Sequence, residues 1–236
     1  MTTSTNPDDS EYLSQYLVDA AWVQAHRDDP NVVLVDIDGE VGYQRGHIPT
    51  AVMLPSNYER DPADGLVSTF PPEKFASTCQ SLGIGDTTQV VAYDHNMSLY
   101  AARFWWVLNY YGHTNMKVLD GGWRRWVIEG RPVSFELTVP VTGLKFTPKT
   151  DDMLMGTLDQ VRAACDVGDA VIWDVRTSSE YDGTVTRAGL RPGHISGAVN
   201  LEWADLMNRE THRFKPLELI RALMNERGII PDKAIF

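Results

Sequence analysis

The stretch Val32–Pro55, VVLVDIDGEVGYQRGHIPTAVMLP, returns later in the chain as Ala170–Trp203, AVIWDVRTSSEYDGTVTRAGLRPGHISGAVNLEW. Each copy has an apolar run ending in aspartate (Asp36, Asp174), then a tyrosine (Tyr43, Tyr181), then Gly-His-Ile (Gly46–Ile48, Gly193–Ile195). Each then closes with a small residue and a second apolar run. The likeness continues downstream, where FPPEKFASTCQSLGIGDTTQVV aligns with FKPLELIRALMNERGIIPDKAIF at a constant offset of 145. That offset pairs Pro71 with Pro216, Glu73 with Glu218, Gly83 with Gly228 and Val90 with Ile235. The aspartates lie 138 apart and the Gly-His-Ile sites 147 apart, so the second copy holds about nine extra residues between Asp174 and Gly193. Three ordered blocks in one register identify an internal repeat.

Each copy reads as a strand, a loop, a short strand, an amphipathic helix stopped by glycine, and another strand. The strands are continuous apolar runs rather than alternating ones, the pattern of a parallel sheet covered by helices on both faces. In the first copy VVAYD follows, ending at Asp94, then a helix over SLYAARFWWVLNYYG and the segment MKVLDGGWRRWVIEGRPV. That helix is apolar nearly all round and is expected to be buried, with Gly112 as its stop. SFELTVPVTGLKFTPKTD has no periodicity and reads as a linker. In the same register the second copy stops inside the strand equivalent to VVAYD, at Ala234-Ile235-Phe236, which is expected to mark an incomplete domain lacking roughly 40 residues.

Composition bounds the function. The 236 residues are 43% hydrophobic and 22% charged, sufficient for a packed core. A net charge of −11 without any Lys/Arg cluster argues against binding nucleic-acid phosphates. No apolar run is long enough to cross a bilayer, and the start MTTSTNPDDSEY lacks a secretory pattern. Two cysteines, Cys79 and Cys165, suit a reducing compartment, so a cytoplasmic location is expected. No metal-ligand spacing accompanies the histidines, and no cofactor is indicated; oligomeric state stays open.

VVLVD…Y…GHIPTAV, VVAYD…LYAARFWWVLNYYGH, VLDGGWRRWVIEGRPV and IWDVRTSSEYDG…RPGHISGAVN together resemble the tandem-domain rhodaneses. These are thiosulfate and 3-mercaptopyruvate sulfurtransferases, and the resemblance runs in order from about Tyr16 onward. It implies an α/β fold of two rhodanese-like domains, each a parallel sheet flanked by helices. The expected division is a flexible start over 1–15, a non-catalytic first domain over 16–140, a linker over 141–154 and a second domain over 155–236. The partners it implies are a small anionic sulfur donor and a thiol or cyanide acceptor, with neither nucleic acid nor membrane involved.

The resemblance also implies a nucleophilic cysteine opening the loop after the central strand of the second domain. Successive loop N–H groups and the following helix end stabilise a thiolate there. In the first copy that position is Asp94, which cannot carry sulfur but can sit against the loop N–H groups as a fixed anion. In the second copy the position falls about three residues beyond Phe236, so these 236 residues are expected to lack the nucleophile and to be inactive alone. Cys79 and Cys165 lie in helical segments and read as packing residues. Arg187 matches a position that faces an anionic substrate, and Arg191 is placed to assist. Asp174 either adds polarity near the loop or pairs with Arg176. His47 and His194 read as architecture, and the other histidines form no constellation. Glu180 stands where many mercaptopyruvate enzymes have arginine, which favours thiosulfate. A non-catalytic scaffold is the alternative reading; a phosphatase of related fold needs a longer cysteine loop than either copy holds.

Overall fold

A computed structural model of the chain describes residues 9–55, 71–186 and 191–236. It divides into two units, Met1–Asp151 with Thr211–Arg213, and Asp152–Glu210 with Phe214–Phe236. In unit 1 the strands β1 (Leu17–Val18), β2 (Val32–Asp36), β3 (Val52–Met53), β4 (Gln89–Tyr93) and β5 (Met116–Leu119) form one sheet in the order β1-β5-β4-β2-β3. All four pairings are parallel. Its helices are α1 (Asp9–Ser14), α2 (Ala20–His26), α3 (Gly39–Arg45), α4 (Pro72–Ser81), α5 (Leu99–Tyr110) and α6 (Gly122–Ile128).

Side chains alternate across a strand, so a strand apolar at every position must fill two cores. In β2 and β4, Val35, Val90 and Ala92 join Phe75, Phe104 and Tyr111 in one cluster. Leu34, Val91 and Tyr93 join Val23, Ile48 and Trp126 in the other. The helix α5 departs from the expected all-round burial. Ala101, Phe104, Val107 and Leu108 are buried, whereas Tyr100 is 45% exposed and Trp105 and Trp106 are only partly covered. Trp106 is compatible with water because it stacks on Tyr110 and lies 4.8 Å under the Arg103 guanidinium.

The stretch expected as a linker from residue 141 is bonded to unit 1 as far as Asp151. Phe146 is buried against Phe75, and backbone bonds run from Asp86 N–H to Lys145, Lys149 N–H to Tyr111 and Asp151 N–H to Tyr110. These contacts are irregular, so no periodicity in the sequence announces them.

In unit 2, α7 (Leu158–Val167), β6 (Trp173–Asp174), α8 (Ser178–Tyr181), β7 (Val199–Asn200) and α9 (Leu217–Glu226) follow the same course. Thr157 with Gln160 and Thr177 with Glu180 close capping boxes at α7 and α8. β6 pairs parallel with β7, and Ala234–Phe236 pairs with Val171–Trp173 through three backbone hydrogen bonds of 2.8–2.9 Å. The bridge is Val171 to Ile235. In unit 1 the partners are Val33 and Val90, the residues the repeat aligns with those two. The two units therefore share one strand register.

They also share a clasp. Tyr43 stacks on His47 with ring centroids 3.6 Å apart, and Tyr181 stacks on His194 at 3.6 Å. The Tyr43 hydroxyl donates to Ala51 O and the Tyr181 hydroxyl to Ala198 O, at 2.8 and 2.6 Å. Nδ1 of each histidine lies against the carbonyl of its tyrosine. His47 is fully buried and its Nε2 also meets Glu136 O at 3.0 Å, while the bond of His194 is exposed. His47→Ala should therefore destabilise unit 1 by roughly 2–4 kcal/mol, from the lost ring hydrogen bonding and stacking and a ring-sized void in a fully buried position. His194→Ala should cost unit 2 about 1 kcal/mol or less. Urea denaturation followed by tryptophan fluorescence measures both, and equal costs would contradict the contrast.

Candidate functional site

From β2 the chain passes to β3 on one side, and from β4 to β5 on the other. The carboxyl ends of β2 and β4 thus flank the switch point where parallel sheets place ligands. Asp94 stands there, immediately after β4. Met97 and Ser98 adopt positive φ of 53° and 65°, turning the loop so that successive N–H groups converge. Asp94 Oδ1 accepts from Asn96 N–H and Ser98 N–H at 2.8 and 2.9 Å. Oδ2 accepts from Tyr100 N–H and Ala101 N–H at 2.9 and 2.8 Å. The four donors and the positive end of α5 form an anion cradle, and the carboxylate of the chain itself fills it.

Around it the edge is acidic. Burial pushes the Asp94 carboxyl up, opposed by its N–H donors and reinforced by the Asp38 charge. Burial pushes Asp36 up to about 7, opposed by the Asp38 N–H and the Tyr93 hydroxyl and reinforced by the charges of Asp38 and Asp94. Asp38 accepts from His95 N–H at 3.0 Å and lies 2.6 Å from His95 Nδ1. His95, expected to stand alone, is therefore paired; 57 residues separate it from its partner. Among the described residues no group of these side chains could hold a metal ion.

An aspartate whose folded pKa is raised above its unfolded value of 3.8 binds its proton more tightly when folded. Its stabilising contribution is complete below pH 4 and is lost as pH rises through about 7. Asp36→Asn should remove that loss: between pH 4 and 8 the variant gains stability relative to the parent, by a few kcal/mol at most. Urea midpoints across that range check it, and parallel curves would contradict it.

In unit 2 the position of Asp36 is Asp174, and that of Asp38 is Arg176. Arg176 Nε and Nη2 hold both carboxylate oxygens of Asp174 at 2.5–3.2 Å. Nη2 also donates to Gly193 O at 3.0 Å. This hydrogen-bonded guanidinium keeps the Asp174 carboxyl below its ordinary range. Asp174, expected either as a substrate-site group or as the partner of Arg176, forms that pair. Asn200 Nδ2 ties the carbonyls of both residues, at 3.0 and 2.9 Å. Arg176, Arg191 and His194 border an open groove of about 660 Å³ floored by Ile172 and Phe236. Arg187 lies outside the described residues. Cys79 is buried in α4, where desolvation pushes its thiol up, and Cys165 is half-buried in α7. Neither ends a strand.

A family model described as Rhodanese-like domain matches residues 19–129 and 157–235. The chain belongs to that family. This rhodanese-like chain is 35% identical to the sulfur carrier protein TtuD of Thermus thermophilus, over 94% of its own length and 81% of that protein. It is 32% identical to the thiosulfate sulfurtransferase of Azotobacter vinelandii, covering 93% of this chain and 80% of the relative. Among solved structures, the 3-mercaptopyruvate sulfotransferase SseA of Escherichia coli superposes with a TM-score of 0.84 at 26% identity, over 93% of this chain and 86% of that one. These relatives support a sulfurtransferase family member.

The contrast between acidic and basic edges was available to the sequence as DID against DVR, Asp36–Asp38 against Asp174–Arg176. Only the offset of 138 makes the two motifs comparable. The geometry that gives the contrast its meaning, Asp38 facing His95 and Arg176 closed on Asp174, lies in the fold.

Proposed function

We propose that the protein transfers sulfane sulfur from a small anionic donor, thiosulfate in preference to 3-mercaptopyruvate, to cyanide or a thiol in the cytoplasm. Unit 1 is the silent half and unit 2 the working one. The observation that carries this reading is the reversal of charge at one repeat position. In unit 1 Asp36, Asp38 and Asp94 make the switch-point edge repel an anion, and the cradle is already filled. In unit 2 Arg176 neutralises Asp174, and Arg191 borders the same groove. Arg187 and Arg191 then attract the donor by charge-assisted hydrogen bonds. Glu180 serves α8 as a cap, leaving the donor no second arginine from that position.

The chemistry balances in two half-reactions. A cysteine thiolate attacks the outer sulfur of thiosulfate; the S–S bond breaks, sulfite leaves with its electron pair, and a persulfide remains. Cyanide or a thiolate then attacks the terminal sulfur and regenerates the cysteine thiolate. Neither Cys79, buried in α4, nor Cys165, in α7, opens a loop after a strand. The chain Met1–Phe236 alone should therefore form no thiocyanate from thiosulfate and cyanide above the uncatalysed rate. It should still bind thiosulfate, and Arg191→Ala should weaken that binding about three- to tenfold by calorimetry. Turnover by this chain would overturn the account of the nucleophile. Unchanged binding in the variant would remove Arg191 from the donor site.

A further inference from the structure

At the opposite end of the unit 1 sheet from Asp94, beside the first residues of β2 and β4, lies a cavity of about 440 Å³. Val32, Val52, Leu82, Val141 and Leu144 supply apolar walls, and Arg27 and Lys145 supply positive charge. The Arg27 guanidinium is the unusual group. Its Nε and Nη1 are buried without any hydrogen-bond partner. The nearest carboxylate, on Asp28, lies 3.4 Å from Nε but is 71% exposed, so water screens it. Buried guanidinium N–H groups are ordinarily bonded, because an unpaired cation away from water is costly.

Two acids also line the cavity, and both are engaged elsewhere. His26 Nδ1 lies 2.8 Å from the Asp29 carboxylate, and Asp86 accepts from the Thr147 N–H and hydroxyl. Arg27 is thus left with one screened ion pair and two buried nitrogens without a hydrogen bond, on the wall of a largely apolar space. We infer that this cavity is a second ligand site, taking a small monoanion with an apolar tail, such as a short-chain carboxylate. The anionic head neutralises Arg27 with Lys145 nearby, and the tail lies along Val32, Val52 and Leu82. The site is separate from sulfur transfer, since it sits at the amino ends of the strands and a donor such as thiosulfate has no apolar part to bury.

Hexanoate titrated into the full 236-residue chain, followed by ligand-observed NMR, tests this, with hexylammonium as the charge control. Saturable hexanoate binding in roughly the millimolar range is expected, with none for hexylammonium. Arg27→Met keeps the aliphatic stem and should weaken binding at least about tenfold. If that variant fails to fold, Val139→Asp decides the matter: Val139 lines the cavity and is 86% exposed, so the change is tolerated and should weaken binding about threefold. No saturation by about 50 mM hexanoate, equal binding of hexylammonium, or unchanged affinity in whichever folded variant is measured would overturn the site.

Discussion

Asp94→Ala should lower the stability of unit 1 by about 3–5 kcal/mol, more than any other side-chain truncation at this edge. The four N–H groups of Asn96, Ser98, Tyr100 and Ala101 all end on this carboxylate. Asp94 is 1% exposed, so water does not readily replace it. Each buried donor left unpaired costs about 1–3 kcal/mol, offset in part by relief from burying a carboxylate. Asp94→Asn keeps one acceptor oxygen but turns an amide NH₂ toward the remaining donors, so it should recover less than half of the loss. Formate restores the deleted carboxylate in pieces. At about 0.2 M it should raise the urea midpoint of Asp94→Ala more than that of the parent. A loss below about 1 kcal/mol, or no difference in the response to formate, would show that the cradle does not need its anion.

Gly122→Ala should cost about 2–4 kcal/mol for a different reason. The residue has φ of +50°, and a Cβ there would collide with the Asp94 carbonyl oxygen. The next N–H, on Trp123, donates to that same oxygen at 2.9 Å. An added methyl must therefore push the start of α6 away from the Asp94 loop, or break the bond that joins them. Gly130→Ala is the control. It has φ of +65° but nothing within 4 Å of its Cβ position, so it reports backbone strain alone, about 1 kcal/mol. The difference between the two urea midpoints isolates the collision, and equal midpoints would contradict it. This close approach explains the second glycine of GGWRRW; the first, Gly121, has φ of +91° and a Cβ there would lie 2.6 Å from the Arg125 Cβ.

These two results bear on function because they separate holding the Asp94 loop in place from binding a donor. Asp94 and Gly122 brace a loop whose anion site is already full, so their loss is read in stability. Arg191 is exposed on the groove of unit 2, and under the proposed function its loss is expected in donor binding.

Much of this was legible in the chain. The offsets of 138 and 145 align Val33 with Val171 and Val90 with Ile235, and the structure pairs Val33 with Val90 in one unit and Val171 with Ile235 in the other. Register is encoded locally, in continuous apolar runs bounded by turn residues, and so survives reading in one dimension. The Tyr and Gly-His-Ile motif is legible for the same reason, whereas the stacking of its rings at 3.6 Å is not. What only the tertiary structure decided is where charges and carbonyls meet. Asp38 meets His95 across 57 residues, and His47 meets Glu136 across 89. Phe146 enters the core of a unit that its sequence context assigns to a linker. The Asp36 carboxyl rises to about 7 because burial adds to the repulsion of two other aspartates brought to one edge. Desolvation and Coulomb energy depend on distance in space, and the sequence states only distance along the chain.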